Sequence, residues 1–368
     1  MTLNAVIFAG GGTGGHIFPA LAICEHLLEA DPKLRVRFIC SQRSIDSRIL
    51  EPRGLDFQPI PAAPFAFRPS GLFRFLRTWR SSRDAAERTV VECLESIGAQ
   101  PRRAVLVGTG GFVSVPAFAA ARRLGVRTVL VNLDAVPGRA NRLLASRADL
   151  VFSTYDVPDA ERVGPIIRRQ ARANAEPRAC RVAFGLDPER RTLLVTGASQ
   201  GAESLNRFVP RMVREHPEAF EGWQILHQAG PDRADAVHAE YQELPVRAKV
   251  VDLVDRVGLL WGAADLAIAR AGAGTVAEAW ANRVPAVFLP YPYHRDEHQR
   301  HNAMPLQRAG AALILKDHVD PAVNSRVHFG TLEALLTGSR DLLDMRASYI
   351  NLPTSDGGKT IADRLRNL

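Results

Sequence analysis

The chain has 368 residues, 46% hydrophobic and 23% charged, with a formal net charge of +8. That length predicts two domains, and the balance is ordinary for a soluble globular protein. No run approaches the roughly 20 apolar residues needed to cross a bilayer, and the start of the chain lacks the basic-then-apolar pattern of a signal peptide, so neither a membrane span nor secretion is expected.

Cys24, Cys40, Cys93 and Cys180 are widely spaced, with no Cys-x-x-Cys. They read as reduced cytosolic thiols rather than a disulfide framework or a zinc site. The positive charge admits acidic partners. Only four of the 47 basic residues are lysine, however, so a lone arginine is weak evidence here.

The apolar run Ala5–Phe8 leads into Gly10-Gly-Gly-Thr-Gly-Gly-His16-Ile-Phe-Pro-Ala20 and then an apolar-periodic segment from Leu21. This reads as strand, glycine turn and helix. Glycines allow positive φ and close backbone approach, and a helix start is a natural seat for phosphate. His16, a titratable base at the mouth of that turn, points to chemistry as well as binding; the alternative is a turn with no ligand. Gly10-x-Gly12-x-x-Gly15 formally fits the dinucleotide fingerprint, but no ribose-binding acid stands about 20 residues beyond it. The second strand, Val36–Cys40, runs into Ser41-Gln-Arg43. The absence of Gly-Lys-Ser/Thr excludes a P-loop.

Between Phe65 and Arg83, aromatic and aliphatic residues interleave with arginines. Leu72, Phe75, Leu76 and Trp79 fall on one predicted helical face, with Arg77, Arg80 and Arg83 on another. Phe73, Phe75, Leu76 and Trp79 form a candidate patch for an anionic lipid interface. The alternative is a helix packed on its own domain. No nucleic-acid motif appears.

Further strands are predicted at Ala104–Val107, Thr128–Val131 and Leu150–Phe152, then at Thr192–Val195, Gln224–His227, Lys249–Val251, Leu266–Ala269 and Ala286–Leu289. Strands alternating with helices indicate a parallel, doubly wound α/β architecture. The arginine-rich stretch Ile167–Arg181 reads as a linker or surface segment. The second half repeats the opening device in Thr196-Gly-Ala-Ser-Gln-Gly201 and again in Arg270-Ala-Gly-Ala-Gly-Thr275. Three glycine turns, each after a strand and before a helix, predict a nucleotide-diphosphate site in a crevice between the two halves.

Ser199 and Gln200 lie where a helix start can bind phosphate, or where a residue simply caps a helix. Glu278 stands about one turn into its helix, placed to accept ribose hydroxyls or to favour the helix dipole. In Tyr291-Pro-Tyr-His-Arg-Asp-Glu-His-Gln-Arg-His-Asn302 the histidine spacing suits a sugar-contacting loop, with Asp296 and Gln299 as candidates, better than a metal site. No metal ligand set is assigned, and no Asp-x-Asp signature for a manganese-held diphosphate is present.

In order, Gly11–Ala20, Gly110-Gly-Phe-Val-Ser-Val-Pro116, Ala135-Val-Pro-Gly-Arg-Ala-Asn-Arg142, Gly197–Ala202 and the Gly272…Glu278…Asp296…Gln299…Asn302 block resemble glycosyltransferase family 28. The match is to its UDP-N-acetylglucosamine transferases of peptidoglycan lipid II synthesis, and it runs from about residue 5 to 315. The resemblance implies a GT-B fold, two Rossmann-like domains with an interdomain cleft. Residues 1–165 would form the acceptor and membrane-side domain, and 166–344 the UDP-sugar domain. A C-terminal helix at about 345–368 would return to the first domain.

The resemblance further implies inverting transfer from UDP-N-acetylglucosamine to a polyprenyl-linked acceptor at the cytoplasmic face of the inner membrane, with the protein bound peripherally. No cofactor is implied. His16 is expected as general base or as an orienting group. Thr13, Gly14, Gly15, Arg168, Ser199, Gln200, Val254, Ala273, Gly274, Thr275, Glu278 and Gln299 are expected on the donor, and Asp134 and Asn141 on the acceptor side. The chain departs from the family pattern at Val131-Asn-Leu-Asp134, where the family carries His-Glu-Gln-Asn. A relative with another acceptor, a UDP-sugar epimerase or hydrolase, and a non-catalytic UDP-sugar-binding protein are the alternatives.

Overall fold

The computed structural model describes residues 3–64, 69–98, 100–353 and 356–368, apart from the side chains of 69, 70, 72, 74, 200, 339 and 340. The chain forms two compact units, residues 1–168 with 355–368 and residues 169–354.

The first unit contains β1 (Ala5–Ala9), β2 (Arg35–Ser41), β3 (Phe57–Ile60), β4 (Ala104–Gly108), β5 (Arg127–Asn132), β6 (Leu150–Ser153) and β7 (Glu161–Arg162). Between them run α1 (Gly14–Ala30), α2 (Ser44–Leu50), α3 (Pro69–Ser96), α4 (Gly111–Arg123) and α5 (Arg139–Ala145). The strands pair in parallel in the order β3-β2-β1-β4-β5-β6-β7.

All five residues of β1 are buried. Val6 and Phe8 pack with Leu21 and Leu27 of α1, while Ala5, Ile7 and Ala9 face Ala86 and Val90 of α3 and Phe118 of α4. A parallel strand covered on both faces must be apolar throughout, which is why these strands read as continuous runs.

The second unit contains β8 (Arg191–Thr196), β9 (Trp223–Gln228), β10 (Arg247–Val251), β11 (Leu266–Ala269), β12 (Ala286–Phe288) and β13 (Ala312–Ile314). Its helices are α6 (Pro177–Ala183), α7 (Glu203–Glu215), α8 (Ala234–Gln242), α9 (Val257–Ala263), α10 (Ala273–Asn282), α11 (His298–Ala309), α12 (Pro321–Thr337) and α13 (Ser339–Ala347). The parallel order is β10-β9-β8-β11-β12-β13. Leu193 and Val195 join one core face and Leu194 the other.

The last helix, α14 (Gly357–Arg366), packs Ile361 and Leu365 into the α1 side of the first core. It is shorter than the expected helix at 345–368, because α13 and a 3-10 turn at Ser348–Asn351 occupy the earlier part. Asp356 caps it through Lys359 N–H at 3.1 Å. Gly357 N–H donates to Pro165 O at 3.1 Å, and a Cβ on Gly357 would collide with Gly164 O.

Strands β3, β7 and β13 escape the sequence reading. All three lie at or beside a sheet edge: β3 holds Pro59, tolerated there because an edge strand has a side without ladder bonds, and β7 is two exposed residues. The stretch Ile167–Arg181 is more than a linker. It contains most of α6, and Arg181 is buried against Asp265 at 2.7 Å and Pro188 O at 2.7 Å.

The four cysteines are free and buried. Burial pushes the Cys24 and Cys40 thiols up to about 12, far from the thiolate form that reacts.

His227 on β9 is completely buried between Tyr241 OH (2.9 Å) and Asn206 Oδ1 (3.1 Å). Burial pushes its pKa down to about 3. The unfolded chain therefore binds one more proton than the folded one between about 6.5 and that value, and stability falls as pH drops through this window. Urea denaturation followed from pH 7 to 4 is expected to show this loss, and His227→Gln to flatten the slope. Equal slopes in both proteins would contradict the assignment.

Candidate active site

In the first unit, strand order reverses between β1 and β4, so the loops after these two strands flank a crevice at the C-terminal edge of the sheet. The first loop is Gly10–Thr13 and the second Thr109–Gly110. A Cβ on Gly10 would collide with Thr109 Oγ1, and one on Gly11 with Asp46 Oδ2. Gly12 takes φ +87°, a conformation open chiefly to glycine.

Asp46, at the start of α2, has its carboxylate fully buried under this turn. Gly12 N–H donates to Oδ1 at 3.0 Å and Oδ2 at 2.9 Å. Ser41 adds its N–H at 2.8 Å and its hydroxyl at 2.6 Å. From the other side, Arg43 Nη1 donates to Gly12 O at 2.8 Å while its guanidinium stands 5.5 Å from the Phe112 ring centroid. Sequence reasoning missed both residues. It sought an acid at the end of the second strand as a ribose ligand; the acid lies a few residues on and is spent on the protein's own backbone.

His16 is held by its main chain and by its ring. Thr109 Oγ1 donates to His16 O at 2.6 Å, and the ring Nδ1 lies 3.2 Å from Thr13 Oγ1. A hydroxyl donates or accepts, so Thr13 supports either tautomer. Burial pushes the His16 pKa down; the negative charges of Asp134 and Asp46 act in the opposite sense, and the net direction is downward.

A Cβ on Gly110, which has φ +99°, would lie 2.8 Å from Asn141 Oδ1 and 3.3 Å from His16 Cδ2. His16 and Asn141 thus pack on the same glycine. Asn141 Nδ2 donates to Asn132 Oδ1 at 3.0 Å, and Asn132 Nδ2 donates to Asp134 O at 2.7 Å. The altered Val131–Asp134 segment is therefore wired to Asn141 through Asn132. Arg168 belongs to the first unit rather than to the 166–344 domain in which it was expected. Its guanidinium lies 3.9 Å over the Phe18 ring of α1.

In the second unit, order reverses between β8 and β11. After β8, Thr196 Oγ1 accepts Ala198 N–H at 3.0 Å, and Ser199 sits half-buried in a 3-10 turn, Ala198–Gln200. Ser199 does not cap α7, whose N-cap is Ala202. The Gln200 side chain lies outside the described residues.

After β11, α10 opens at Gly272 with no side-chain cap, leaving Ala273, Gly274 and Thr275 to form the first turn. Glu278 Oε2 accepts Trp261 Nε1–H at 3.0 Å, and Val254 is half-buried against the same core. Gln299 Oε1 accepts Tyr291 N–H at 2.9 Å, which shapes the loop between β12 and α11. Asp296 accepts from His298 Nδ1 at 2.9 Å, a bond that holds its carboxyl below the usual range. Among the described residues no group of three His, Cys, Asp or Glu side chains converges as metal ligands do.

Arg270, at the end of β11, is a further positioning residue that sequence reasoning passed over. Its Nη1 donates to Leu289 O at 2.7 Å and pairs with Asp317 at 2.7 Å, and its Nη2 donates to Ser204 Oγ at 2.7 Å. Asp317 also accepts from Asn324 and Ser204. Burial raises the Asp317 pKa, but the hydrogen bonds from Asn324, Ser204 and Val319 N–H, with the Arg270 charge, outweigh it and hold the carboxyl below its usual range.

On α3, Phe73 and Leu76 are 68% and 61% exposed. Phe75 and Trp79 are half-buried, their rings 5.6 Å apart, so the exposed apolar pair differs from the face that periodicity predicted. Phe65, Phe67 and Arg68 lie outside the described residues, as do the side chains of Leu72 and Arg74. No described helix is long and apolar enough to cross a membrane.

The glycosyltransferase family 28 N-terminal domain matches residues 6–153, and the family's C-terminal domain matches 192–347. The chain belongs to glycosyltransferase family 28. The UDP-N-acetylglucosamine–N-acetylmuramyl-(pentapeptide) pyrophosphoryl-undecaprenol N-acetylglucosamine transferase of Streptomyces avermitilis is 38% identical over 325 residues, 85% of each chain. The protein of the same name from Nocardioides sp. is 36% identical over 97% of this chain and 96% of its own. A crystal structure of Acinetobacter baumannii MurG superposes with a TM-score of 0.74 at 25% identity, covering 99% of each chain. The calicheamicin glycosyltransferase CalG4, at 16% identity and a TM-score of 0.63, shares the fold. The two parallel-sheet units are of the GT-B class.

Breaking the Arg270–Asp317 pair leaves one charge buried alone, which costs about 3–5 kcal/mol. Arg270→Met is expected to lower the unfolding free energy by that order in urea titration, and Arg270→Met/Asp317→Leu to recover much of it. Full stability of the single variant would contradict the role of the pair.

Proposed function

We propose that the chain is an inverting glycosyltransferase that moves N-acetylglucosamine from UDP-N-acetylglucosamine to the C4 hydroxyl of a lipid-linked N-acetylmuramoyl-pentapeptide. The names of relatives at 36–38% identity over most of the chain support the substrates. The observation that carries the chemistry is His16, half-buried at the strand-order reversal and tied to Thr13 by its ring.

In this reading His16 takes the proton from the acceptor hydroxyl as that oxygen attacks the anomeric carbon, and the bond to the diphosphate breaks on the opposite face. A lowered pKa keeps the imidazole neutral near pH 7, ready to accept. Glu278, held by Trp261, and Val254 serve ribose and uracil. Ala273–Thr275 at the start of α10 join them there, Ser199 and Gln200 serve the diphosphate, where N–H dipoles offset the departing charge, and Arg168 of the first unit is a further donor-side candidate. Gln299 and Thr13–Gly15 serve the sugar, and Asn141 and Asp134 the acceptor. The reading uses no metal and no cofactor.

The acceptor is amphiphilic, and the chain is read as a peripheral protein of the cytoplasmic membrane face. Phe73 and Leu76 stand exposed beside exposed Arg77 and Arg80, a combination suited to an anionic lipid interface.

His16→Ala is expected to reduce transfer of labelled sugar to a lipid-linked acceptor analogue by about 100-fold or more while UDP affinity is retained. The wild-type kcat/KM is expected to fall on the acid side with an apparent pKa below the usual histidine value of about 6.5, as His16 takes up a proton. Full transfer by the variant would sink the assignment. Phe73→Ser/Leu76→Ser is expected to weaken binding to phosphatidylglycerol vesicles in sedimentation, with transfer to a short-chain soluble acceptor unchanged. Undiminished vesicle binding would reject the patch.

A further inference from the structure

We propose that Asp46 is a positioning residue for His16: together with Arg43 it clamps Gly12, the residue before Thr13, and so sets the Thr13–His16 contact. The proposal rests on reading His16 as the base. Gly12 has φ +87°, and little in its own backbone preference holds that conformation in place. It is held from outside, on both of the peptide units that meet at its Cα.

The N–H is gripped by both oxygens of Asp46, at 3.0 and 2.9 Å. The C=O is gripped by Arg43 at 2.8 Å. Arg43 lies between β2 and α2, and Asp46 three residues on in the first turn of α2. That segment is anchored in turn by Ser41, whose N–H and hydroxyl donate to Asp46 and whose Oγ accepts Arg43 N–H at 3.2 Å.

A fully buried carboxylate served by four hydrogen bonds from neutral groups is costly to bury. What its position accomplishes is orientation. The peptide carbonyl fixed by Arg43 belongs to the Gly12–Thr13 linkage, so the direction of the Thr13 side chain follows from the clamp. The Thr13 hydroxyl stands 3.2 Å from His16 Nδ1, which leaves Nε2 as the nitrogen to meet a substrate hydroxyl. Gly11 completes the argument: a Cβ there would collide with Asp46 Oδ2, so the loop sequence accommodates this carboxylate. Asp46 touches no reacting atom in this account; it acts through Gly12 and Thr13.

The test compares wild type, Asp46→Asn, Arg43→Leu, Thr13→Val, Thr13→Ser and the Asp46→Asn/Thr13→Val double variant. It measures kcat, KM for UDP-N-acetylglucosamine, UDP affinity by calorimetry and Tm. Asp46→Asn and Thr13→Val are each expected to lower kcat about 10- to 100-fold, the scale of a small misplacement of a catalytic group. KM should stay unchanged in Asp46→Asn, UDP affinity should stay unchanged in both, and Thr13→Ser should retain activity. The double variant should be no slower than the slower single variant, because both act along one path.

Arg43 is exposed, so Arg43→Leu folds and keeps the proposal open to refutation if Asp46→Asn does not. It too is expected to lower kcat at constant UDP affinity. Wild-type kcat in Arg43→Leu or in a folded Asp46→Asn, multiplicative losses in the double variant, or parallel losses of kcat and UDP affinity would each overturn the proposal. Wild-type transfer by His16→Ala would instead remove the base assignment itself, and is read separately.

Discussion

A parallel strand covered on both faces can expose polar chemistry only at its ends. The placement of the proposed catalytic and donor-binding residues follows from that constraint. Val6 and Phe8 are committed to one core and Ile7 to the other. The first backbone free to do something else is therefore Gly10, past the end of β1. The same holds for β4, β8 and β11. Each ends in a short loop whose glycines permit close approach, and the two central loops of each sheet flank a reversal of strand order. The proposed roles of His16, Ser199 and Glu278 follow these strand ends, and Asn141, on α5, packs against Gly110 beside them.

The two units solve the problem of holding such an edge differently. The first buries a lone carboxylate, Asp46, and satisfies it with neutral donors, the N–H of Gly12 and the N–H and hydroxyl of Ser41. The second buries a charge pair, Arg270 with Asp317, and uses the guanidinium to tie Leu289 O and Ser204 to the end of β11. Each device is internal and does not require a ligand to complete its bonding. The edges are thus preorganised, which matters when the task is to stabilise charge that develops only in the transition state.

Much of this was legible in the chain. Apolar runs marked ten strands, all but the half-exposed edge strand β10 with buried apolar residues, and three glycine turns marked the edges. What escaped was whatever depends on contacts across the fold. The edge strands are short: β3 is interrupted by Pro59, β7 is two exposed residues, and β13 is three residues, too brief a run to stand out. Asp46 in the first turn of α2 and Arg270 just after β11 are charged residues indistinguishable by sequence from solvated ones until their partners 34 and 47 positions away are known. On α3 the periodicity grouped Phe75 and Trp79 with Leu76. Packing turned the two rings partly inward and left Phe73 and Leu76 exposed. A helical period says which residues share a face, and only tertiary contacts say which face is covered.

The proposed transfer is one displacement with one base and no covalent intermediate. The configuration of the new glycosidic linkage tests that most directly. The donor sugar is α-linked to its diphosphate, so a single displacement yields a β-linked product. The proton NMR coupling at the new anomeric centre is predicted to be the large diaxial value of a β-linkage. The small coupling of an α-linked product would mean retention at the anomeric carbon, and would contradict a single in-line displacement.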